Sequence, residues 1–434
     1  MNILLIGSGG REHALAAKLA ESGAHTLYAA KGNPGIFRHA QNADIDEKDN
    51  AEIVDFCVAR SIELVVVGPE APLAAGLADA LRARSIPVFG PSRAAARLES
   101  SKAFAKDFMQ RYAIPTARYR TFGENDHAAA REYVATHTLP VVIKADGLAA
   151  GKGVTVAETH AHALDALDAA FDGKFGKAGK SVVVEEFMQG EEASVFAVCD
   201  GERFITLAPA QDHKRIGDGD TGENTGGMGA YAPAPIVTPE LMREIEERII
   251  APTLSGMKTE GCPFIGCLYV GLMINRATNE CRVVEYNARF GDPETQVVLA
   301  IADVDLARLL HSAALGSLDA SAVRSVTRGV ACCVVLAASG YPGDTRKGDE
   351  ITGIEETERA FGGAVRIFQA GVALRREADG SESLCTNGGR VLSVTARGND
   401  LREAIDLAYR AVKTVHFRGK TYRSDIGAKG LRTL

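Results

Sequence analysis

The chain has 434 residues, 46% of them hydrophobic and 24% charged, with a formal net charge of -7. That length exceeds a single core, which stops growing near ~250–300 residues, so about two to four domains are expected, in the balance of a folded enzyme rather than a disordered chain. The charge leaves no broad basic face for nucleic acid, and no uncharged apolar run reaches the roughly 20 residues that span a bilayer.

The opening MNILLIGSGG reads as a buried strand running into glycines rather than as a cleavable leader. Eight cysteines are scattered without a CxxC pair, Cys332 beside Cys333, so neither a zinc site nor a disulfide framework is expected and reduced thiols in a cytoplasm fit. Up to about residue 100, short apolar strands alternate with helices: strands at 3–6, 26–30, 53–59, 64–67 and 88–89, with helices over 11–21 and near 73–84. Such alternation predicts parallel strands with crossover helices, a Rossmann-like domain of residues 1–100. Ser100 is placed to cap a helix that runs to Arg111 and stops before Ile114-Pro115.

Between 121 and 189 a helix, the strand 140–143, a glycine-rich loop, a second helix and the strand 181–185 form a small α/β unit. Residues 190–325 hold further strands, a polar glycine-dense stretch, and a hairpin of 267–274 with 282–287 around the turn residues 275–280. From Arg328 short strands recur with turn signals at Asp379-Gly380 and Asn387-Gly388, and a helix follows near 401–415. A mixed, β-rich terminal domain is expected there.

Gly7-Ser8-Gly9-Gly10-Arg11-Glu12 follows a strand and opens a helix, where free N–H groups and the helix dipole favour a phosphate. A dinucleotide fold would place a third glycine at position 12 and an acidic residue after the second strand. Glu12 and Ala30-Lys31-Gly32 stand there instead, which disfavours nicotinamide. Gly68-Pro69-Glu70 ends another strand on the same sheet edge, where it is either a tight turn or a carboxylate for ribose hydroxyls.

In the run from Lys144 through Asp146, Gly147, Gly151, Lys152 and Gly153, one lysine stands at a strand end and another inside a glycine loop. Three residues separate the glycines and Gly153 follows the lysine, so this is not a Walker loop. Backbone N–H groups and two ammoniums covering a triphosphate suit phosphoryl transfer. Val182-Val183-Val184-Glu185-Glu186-Phe187 passes from a strand into a linker whose backbone can read adenine, and Glu185, Glu186 and Glu191 all stand as candidates for the ribose.

In Arg282-Val283-Val284-Glu285-Tyr286-Asn287 the two-residue strand period puts Glu285 and Asn287 on one face and Val284 and Tyr286 on the other. Magnesium takes one or two carboxylates and completes its octahedron with waters and phosphates, so this pair is an adequate metal set. Arg289 follows, a guanidinium fork for a substrate carboxylate or a transferring phosphoryl. The polar run from Gln211 to Tyr231 offers Asp212 for an ammonium and Lys214 or Arg215 for an anion, while His213 has no metal partner at useful spacing and reads as structural.

Taken together, GSGGREHAL, GPEAPL, LESSKAFAKDF, VIKADGLAAGKGV, QDHKRIGDGDTGENTGGMGAY and VVEYNARFGDPETQ resemble the glycinamide ribonucleotide synthetase family, the phosphoribosylamine–glycine ligases, in order and over nearly the whole chain. The resemblance implies an α/β and α+β multidomain chain. A Rossmann-like domain (1–100) precedes an ATP-grasp core (101–120 and 190–327), its lid (121–189) and a small C-terminal domain (328–434). It also implies the second step of purine synthesis: ATP, glycine and 5-phosphoribosylamine give glycinamide ribonucleotide, ADP and phosphate through glycyl phosphate. Substrate contacts would come from Gly9, Gly10, Arg11, Glu12, Pro69, Glu70, Asp212, Lys214 and Arg289. ATP contacts would come from Lys102, Lys144, Gly147, Gly151, Lys152, Gly153, Glu185, Glu186, Phe187 and Glu191. Arg289, Asp212 and Lys152 would be the catalytic set, and Glu285 and Asn287 would hold magnesium, for which manganese substitutes. A cytoplasmic monomer with channelling contacts to other purine enzymes is implied as well. Two positions depart from the family pattern: Glu223 stands where proline is usual, and the strand 267–274, unlike that of many ATP-grasp enzymes, carries no acidic residue.

Overall fold

The computed structural model describes residues 1–148, 153–278, 280–376 and 380–433. Five parallel strands open the chain, β1 (Asn2–Gly7), β2 (Thr26–Lys31), β3 (Gln41–Asn42), β4 (Leu64–Val67) and β5 (Val88–Phe89), in the order β3-β2-β1-β4-β5. Helices cover both faces, so β1 and β4 read as continuous apolar runs. Residues 53–59 are not the strand expected there but the larger part of a helix, Asn50–Ala59, whose first turn is capped by the Asp49 carboxylate. The helix expected near 73–84 is two, Glu70–Ala74 and Leu77–Ala83, separated at Gly76, whose φ of 88° no helix accommodates. Ser101, not Ser100, caps the helix Lys102–Arg111, its Oγ accepting from the Phe104 N–H at 3.1 Å. Ser100 instead ends a preceding short helix, Arg97–Ser100.

A second, antiparallel sheet contains β6 (Tyr119–Phe122), β7 (Val141–Ala145), β8 (Val154–Ala157) and β9 (Val182–Glu186), ordered β6-β9-β7-β8. With the helices His127–Thr136 and His160–Phe171 it encloses a core drawn only from residues 122–184.

The central sheet, β11-β10-β16-β17, is antiparallel: β10 (Glu191–Asp200), β11 (Phe204–Thr206), β16 (Ile265–Asn275) and β17 (Glu280–Asn287). On one face Ala193, Val195, Leu268, Val270 and Leu272 meet Ile245, Leu254 and Met257 of the helices Pro239–Ile245 and Ala251–Thr259. Alternation leaves the other face to Ser194, Tyr269, Gly271, Glu285 and Asn287.

The C-terminal sheet runs β12-β15-β20-β24-β21, from β12 (Gln211–Asp212), β15 (Gly229–Ala232), β20 (Val330–Ala337), β21 (Val365–Gln369) and β24 (Arg390–Gly398). It therefore reaches back across the boundary expected at residue 328, drawing two strands from the glycine-dense run. That run is largely paired rather than an open loop, since β13 (Arg215–Gly217) and β14 (Thr221–Asn224) form an antiparallel pair between them, with Glu223 on exposed β14. The helix Leu401–Val412 packs Ala404, Ala408 and Ala411 against Val334, Leu336 and Val394. Short pairs β18 (Asp303–Val304) with β19 (Val323–Ser325), and β22 (Val372–Arg376) with β23 (Glu382–Thr386), complete the strands. All eight cysteines are free thiols. Among the described residues, no helix is long and apolar enough to cross a membrane.

Candidate active site

The site is built outward from β17. Gly271 of β16 pairs with Glu285, but Leu272 pairs with Val283, so Val284 is the extra residue of a bulge. The bulge resets the alternation: Val283 and Tyr286 are buried in the core, while Val284 does not join Tyr286 there as the plain two-residue period expects. Glu285 and Asn287 share the outer face and are half-buried, and neither side chain has a hydrogen bond or ion pair among the described residues. Opposite Glu285, a Cβ on Gly271 would stand 3.4 Å from the Glu285 Cγ, so glycine relieves a close approach. Burial alone would raise the Glu285 carboxyl, yet Lys214, Lys144, Lys102 and Arg289 together hold it below the usual carboxylate range.

Among the described residues no three His, Cys, Asp or Glu side chains converge on a metal position. A magnesium ion held by Glu285 and the Asn287 amide oxygen would complete its shell with phosphate oxygens and waters, and the unpartnered pair fits that requirement.

Asp212 of β12 is buried, and burial pushes its carboxyl up against the opposing charge of Lys214, with Glu294 and Glu192 adding to the rise. Lys214 Nζ contacts Glu192 Oε2. Burial works against its ammonium, but Glu192 and Asp212 hold it well above its ordinary value. Tyr269 ties this cluster to the sheet, its hydroxyl 2.7 Å from Ser194 Oγ and donating to Glu294 Oε1 at 3.0 Å. His213 is buried against Tyr231, and burial lowers it to about 4, so its imidazole is neutral.

At the end of β7, Lys144 Nζ donates to the Val284 carbonyl at 3.2 Å and lies 3.0 Å from Glu185 Oε2. Lys106, which the sequence motifs did not single out, reaches the same oxygen at 3.0 Å and donates to Thr116 Oγ1 at 2.8 Å. Burial brings the Lys106 ammonium down to about 8 despite Glu185. Glu185 is 1% exposed and clamped between two lysines, so its carboxylate is no open ribose acceptor, although its Oε1 has no partner among the described residues. Glu186 is likewise engaged, with Arg118 Nε at 2.7 Å and Arg282 at 2.8 Å. Glu191 faces Arg276 at 3.4 Å at the start of β10, and Phe187 is exposed in the linker. Changing Glu185 to Gln leaves two buried ammoniums without their anion. Unfolding in urea is expected to show a loss of about 2 kcal/mol, below the ~3–5 kcal/mol of a fully broken buried pair because Lys106 can shed its proton.

Lys102 Nζ donates to the Gly147 carbonyl at 2.9 Å. Burial lowers its ammonium, partly offset by Glu285. Asp146 accepts from the Ala103 N–H at 3.2 Å, so the turn after β7 docks on the first turn of the helix Lys102–Arg111. Gly153 accepts from the Ala145 N–H at 2.8 Å, while Gly151 and Lys152 lie outside the described residues.

At the first glycine cluster, the Gly9 N–H donates to Glu12 Oε2 at 2.6 Å, which leaves the amides of Gly10 and Arg11 to an anion. Glu12 is buried in a notch: a Cβ at Gly68 would lie 2.1 Å from its Oε1, which also accepts from Arg11 Nε at 2.6 Å. It therefore closes the helix start rather than presenting a carboxylate to a ligand. Arg11 donates to the Phe290 carbonyl at 2.9 Å, joining this helix to the loop after β17.

In that loop Arg289 lies 3.5 Å from Glu70 Oε2 and 3.1 Å from Glu99 Oε1. Glu70 opens its short helix directly after Pro69, and although burial opposes its charge, Arg289 holds its carboxyl low. Glu99 is buried more deeply, and burial raises its carboxyl despite Arg289. Sequence reasoning passed over Glu99, which carries no local signal beyond lying in LESSKAFAKDF. It also passed over Arg390 of β24, which donates to the Asp292 carbonyl at 2.6 Å and to Asp292 Oδ2 at 2.9 Å across 98 residues of chain.

Comparison with known proteins agrees along the chain. The family models for phosphoribosylglycinamide synthetase match in series, the N domain at residues 1–99, the ATP-grasp (A) domain at 100–295 and the C domain at 331–429. A phosphoribosylamine–glycine ligase of Mesorhizobium japonicum is 53% identical over 98% of both chains. The crystal structure of a phosphoribosylamine–glycine ligase from Thermotoga maritima superposes with a TM-score of 0.83 at 36% identity, covering 98% of this chain and 100% of that one. A biotin carboxylase from Campylobacter jejuni, 14% identical with a TM-score of 0.71 over 97% and 92% of the two chains, shares the fold alone. The chain belongs to the phosphoribosylglycinamide synthetase family and carries its ATP-grasp fold.

Proposed function

We propose that the chain performs its family's ligation, glycine onto 5-phosphoribosylamine at the expense of ATP, on the outer face of β17 and through glycyl phosphate. The observation that carries this is the lone Glu285 carboxylate ringed by Lys102, Lys144, Lys214 and Arg289. Such an arrangement suits a metal-bound triphosphate, whose charge needs both a cation held by Glu285 and cations around it.

Glycine's carboxylate, held by Arg289, attacks the γ-phosphorus of ATP; the bond to the bridging oxygen breaks and ADP leaves. The ribosylamine nitrogen then attacks the acyl carbon, the carbon–oxygen bond to phosphate breaks, and the nitrogen loses a proton. Magnesium, when bound by Glu285 and Asn287, neutralises charge on the transferring phosphoryl. Lys102 and Lys144, with Lys152, attend the phosphates, and the orphaned Glu185 Oε1 suits the exocyclic amine of adenine. The Phe187–Glu191 linker lies beside the base, where Glu191, less engaged than Glu185 and Glu186, suits the ribose. Asp212 and Lys214 face glycine's ammonium and the anionic intermediate. Residues 121–189 act as a lid on the core of 101–120 and 190–327, between the domains 1–100 and 328–434. We further propose a cytoplasmic monomer in which manganese replaces magnesium and which makes channelling contacts with other purine enzymes.

Glycine labelled with oxygen-18 in its carboxylate tests the route: one labelled oxygen is expected in inorganic phosphate, with ADP as the other product. Label in AMP, with pyrophosphate released, sinks it. The Gly10 and Arg11 amides and the Arg11 side chain receive the sugar phosphate in this reading. Arg11→Ala is therefore expected to raise the KM for phosphoribosylamine about tenfold or more, the worth of ~1.5–3 kcal/mol for one charge-assisted hydrogen bond, while the KM for ATP stays within about twofold. Equal rises for both substrates would assign Arg11 to holding the Phe290 loop.

A further inference from the structure

Beside the first helix, a cleft of about 220 Å³ opens where the helices Gly10–Ala20 and Glu294–Ile301 meet strands β21 and β24. None of its lining residues belongs to the β17 face. Lys18, Arg328, Arg366 and Arg397 line it against only two carboxylates, Glu21 and Asp303, which leaves two positive charges in excess. Glu21 is shared by Lys18 at 2.8 Å and Arg366 at 3.4 Å, and Asp303 takes Arg328 at 2.5 Å. Arg397 is exposed and has no ion pair among the described residues.

The floor is polar and unfinished. Gln296 is 0% exposed and Thr395 2%. Gln296 Nε2 donates to Asp292 Oδ1 at 2.8 Å, but Gln296 Oε1 has no hydrogen-bond partner among the described residues, while the Thr395 hydroxyl is engaged by the Cys333 thiol. Buried polar atoms are ordinarily satisfied, so an orphaned amide oxygen under a cationic rim calls for a ligand that brings a hydroxyl as well as negative charge. Guanidinium forks at the rim suit phosphate oxygens.

We propose that this cleft is a second ligand site, taking a small hydroxylated phosphate monoester with its phosphate on Arg366 and Arg397 and its hydroxyl on Gln296 Oε1. Glycerol 3-phosphate is the probe, titrated calorimetrically onto the full chain, with inorganic phosphate as a parallel arm. One binding event is expected, weakened about tenfold in an Arg366→Ala/Arg397→Ala double variant, with a smaller loss in Thr395→Val and none in Arg11→Ala. Inorganic phosphate is expected to bind more weakly than the monoester. Binding lost in Arg11→Ala but kept in the double variant would move the ligand to the first glycine cluster and overturn the proposal. So would an absence of heat at millimolar probe, and phosphate binding as tightly as the monoester would overturn the hydroxyl contact.

Discussion

Glu285→Gln is expected to lower turnover by about a thousandfold, roughly 4 kcal/mol of transition-state stabilisation, while leaving the protein folded. Glutamine keeps the size and one oxygen but removes a carboxylate that Lys102, Lys144, Lys214 and Arg289 all hold in its charged form. A magnesium ion held by Glu285 and Asn287 would lose its one charged protein ligand, and with it part of the charge neutralisation it would supply to the phosphoryl. A second consequence separates this from a packing defect. Glu285 is the largest of three carboxylates, with Asp146 and Glu99, that raise the Lys102 ammonium against burial, so its loss lets Lys102 shed its proton at lower pH. The alkaline limb of the pH–rate profile should therefore move towards neutrality. Steady-state turnover across a magnesium series, with a pH profile at saturation and a thermal melt, checks all three points. Near-normal turnover at low magnesium would remove Glu285 from the metal.

Arg289→Met is expected to reduce kcat/KM for glycine by about a thousandfold, in the range of ~2–5 kcal/mol for truncating one partner of a buried charge pair. Arg289 is bracketed by Glu70 and Glu99. Burial opposes its charge, and those two carboxylates hold its guanidinium above its ordinary value. Without it Glu99, whose carboxyl burial already raises, loses the opposite charge that holds that rise in check, and the loop after β17 loses its anchor. Arg289→Lys restores charge but not the planar fork, so it is expected to recover stability while recovering only part of the glycine kcat/KM. The affinity for magnesium ATP, measured separately, should change little. A normal glycine KM in a destabilised Arg289→Met protein would make the residue a strut between Glu70 and Glu99 rather than a substrate contact.

Much of the architecture follows from short-range pattern. Short β-branched apolar runs such as 64–67 and 182–184 read as buried strands, and strand–glycine–helix at residues 2–20 sets up a parallel sheet with its glycine turn at the strand ends. Turn residues between β16 and β17 dictate a hairpin, and through it the neighbourhood of Glu285 and Asn287. Lys144 at a strand end is equally local. Composition bounded the rest by excluding a basic nucleic-acid face.

What the sequence by itself determined, then, is most of the alternation of strands and helices, though not the helix at 53–59 or the break at Gly76, together with the family motifs and which residue types cluster near each strand end. Tertiary structure alone decided how those residues are engaged. The bulge at Val284 depends on register against Gly271 and Leu272 of another strand, so no periodicity within β17 reveals it. Glu185, Glu186 and Glu191 look alike in sequence. Only the arrival of Lys106, 79 positions away, on the oxygen that Lys144 also holds buries the first, while Arg118 and Arg282 take the second. Glu12 reads as a ligand candidate until Gly68, in the turn after β4, closes over it. Glu99, Arg390 and the two strands lent by the glycine-dense run to the C-terminal sheet share that property. Ion pairs and strand ladders between distant segments form only when the hydrophobic packing of several cores brings them together, and a burial that shifts a carboxyl or an ammonium is a property of that packing rather than of neighbouring residues.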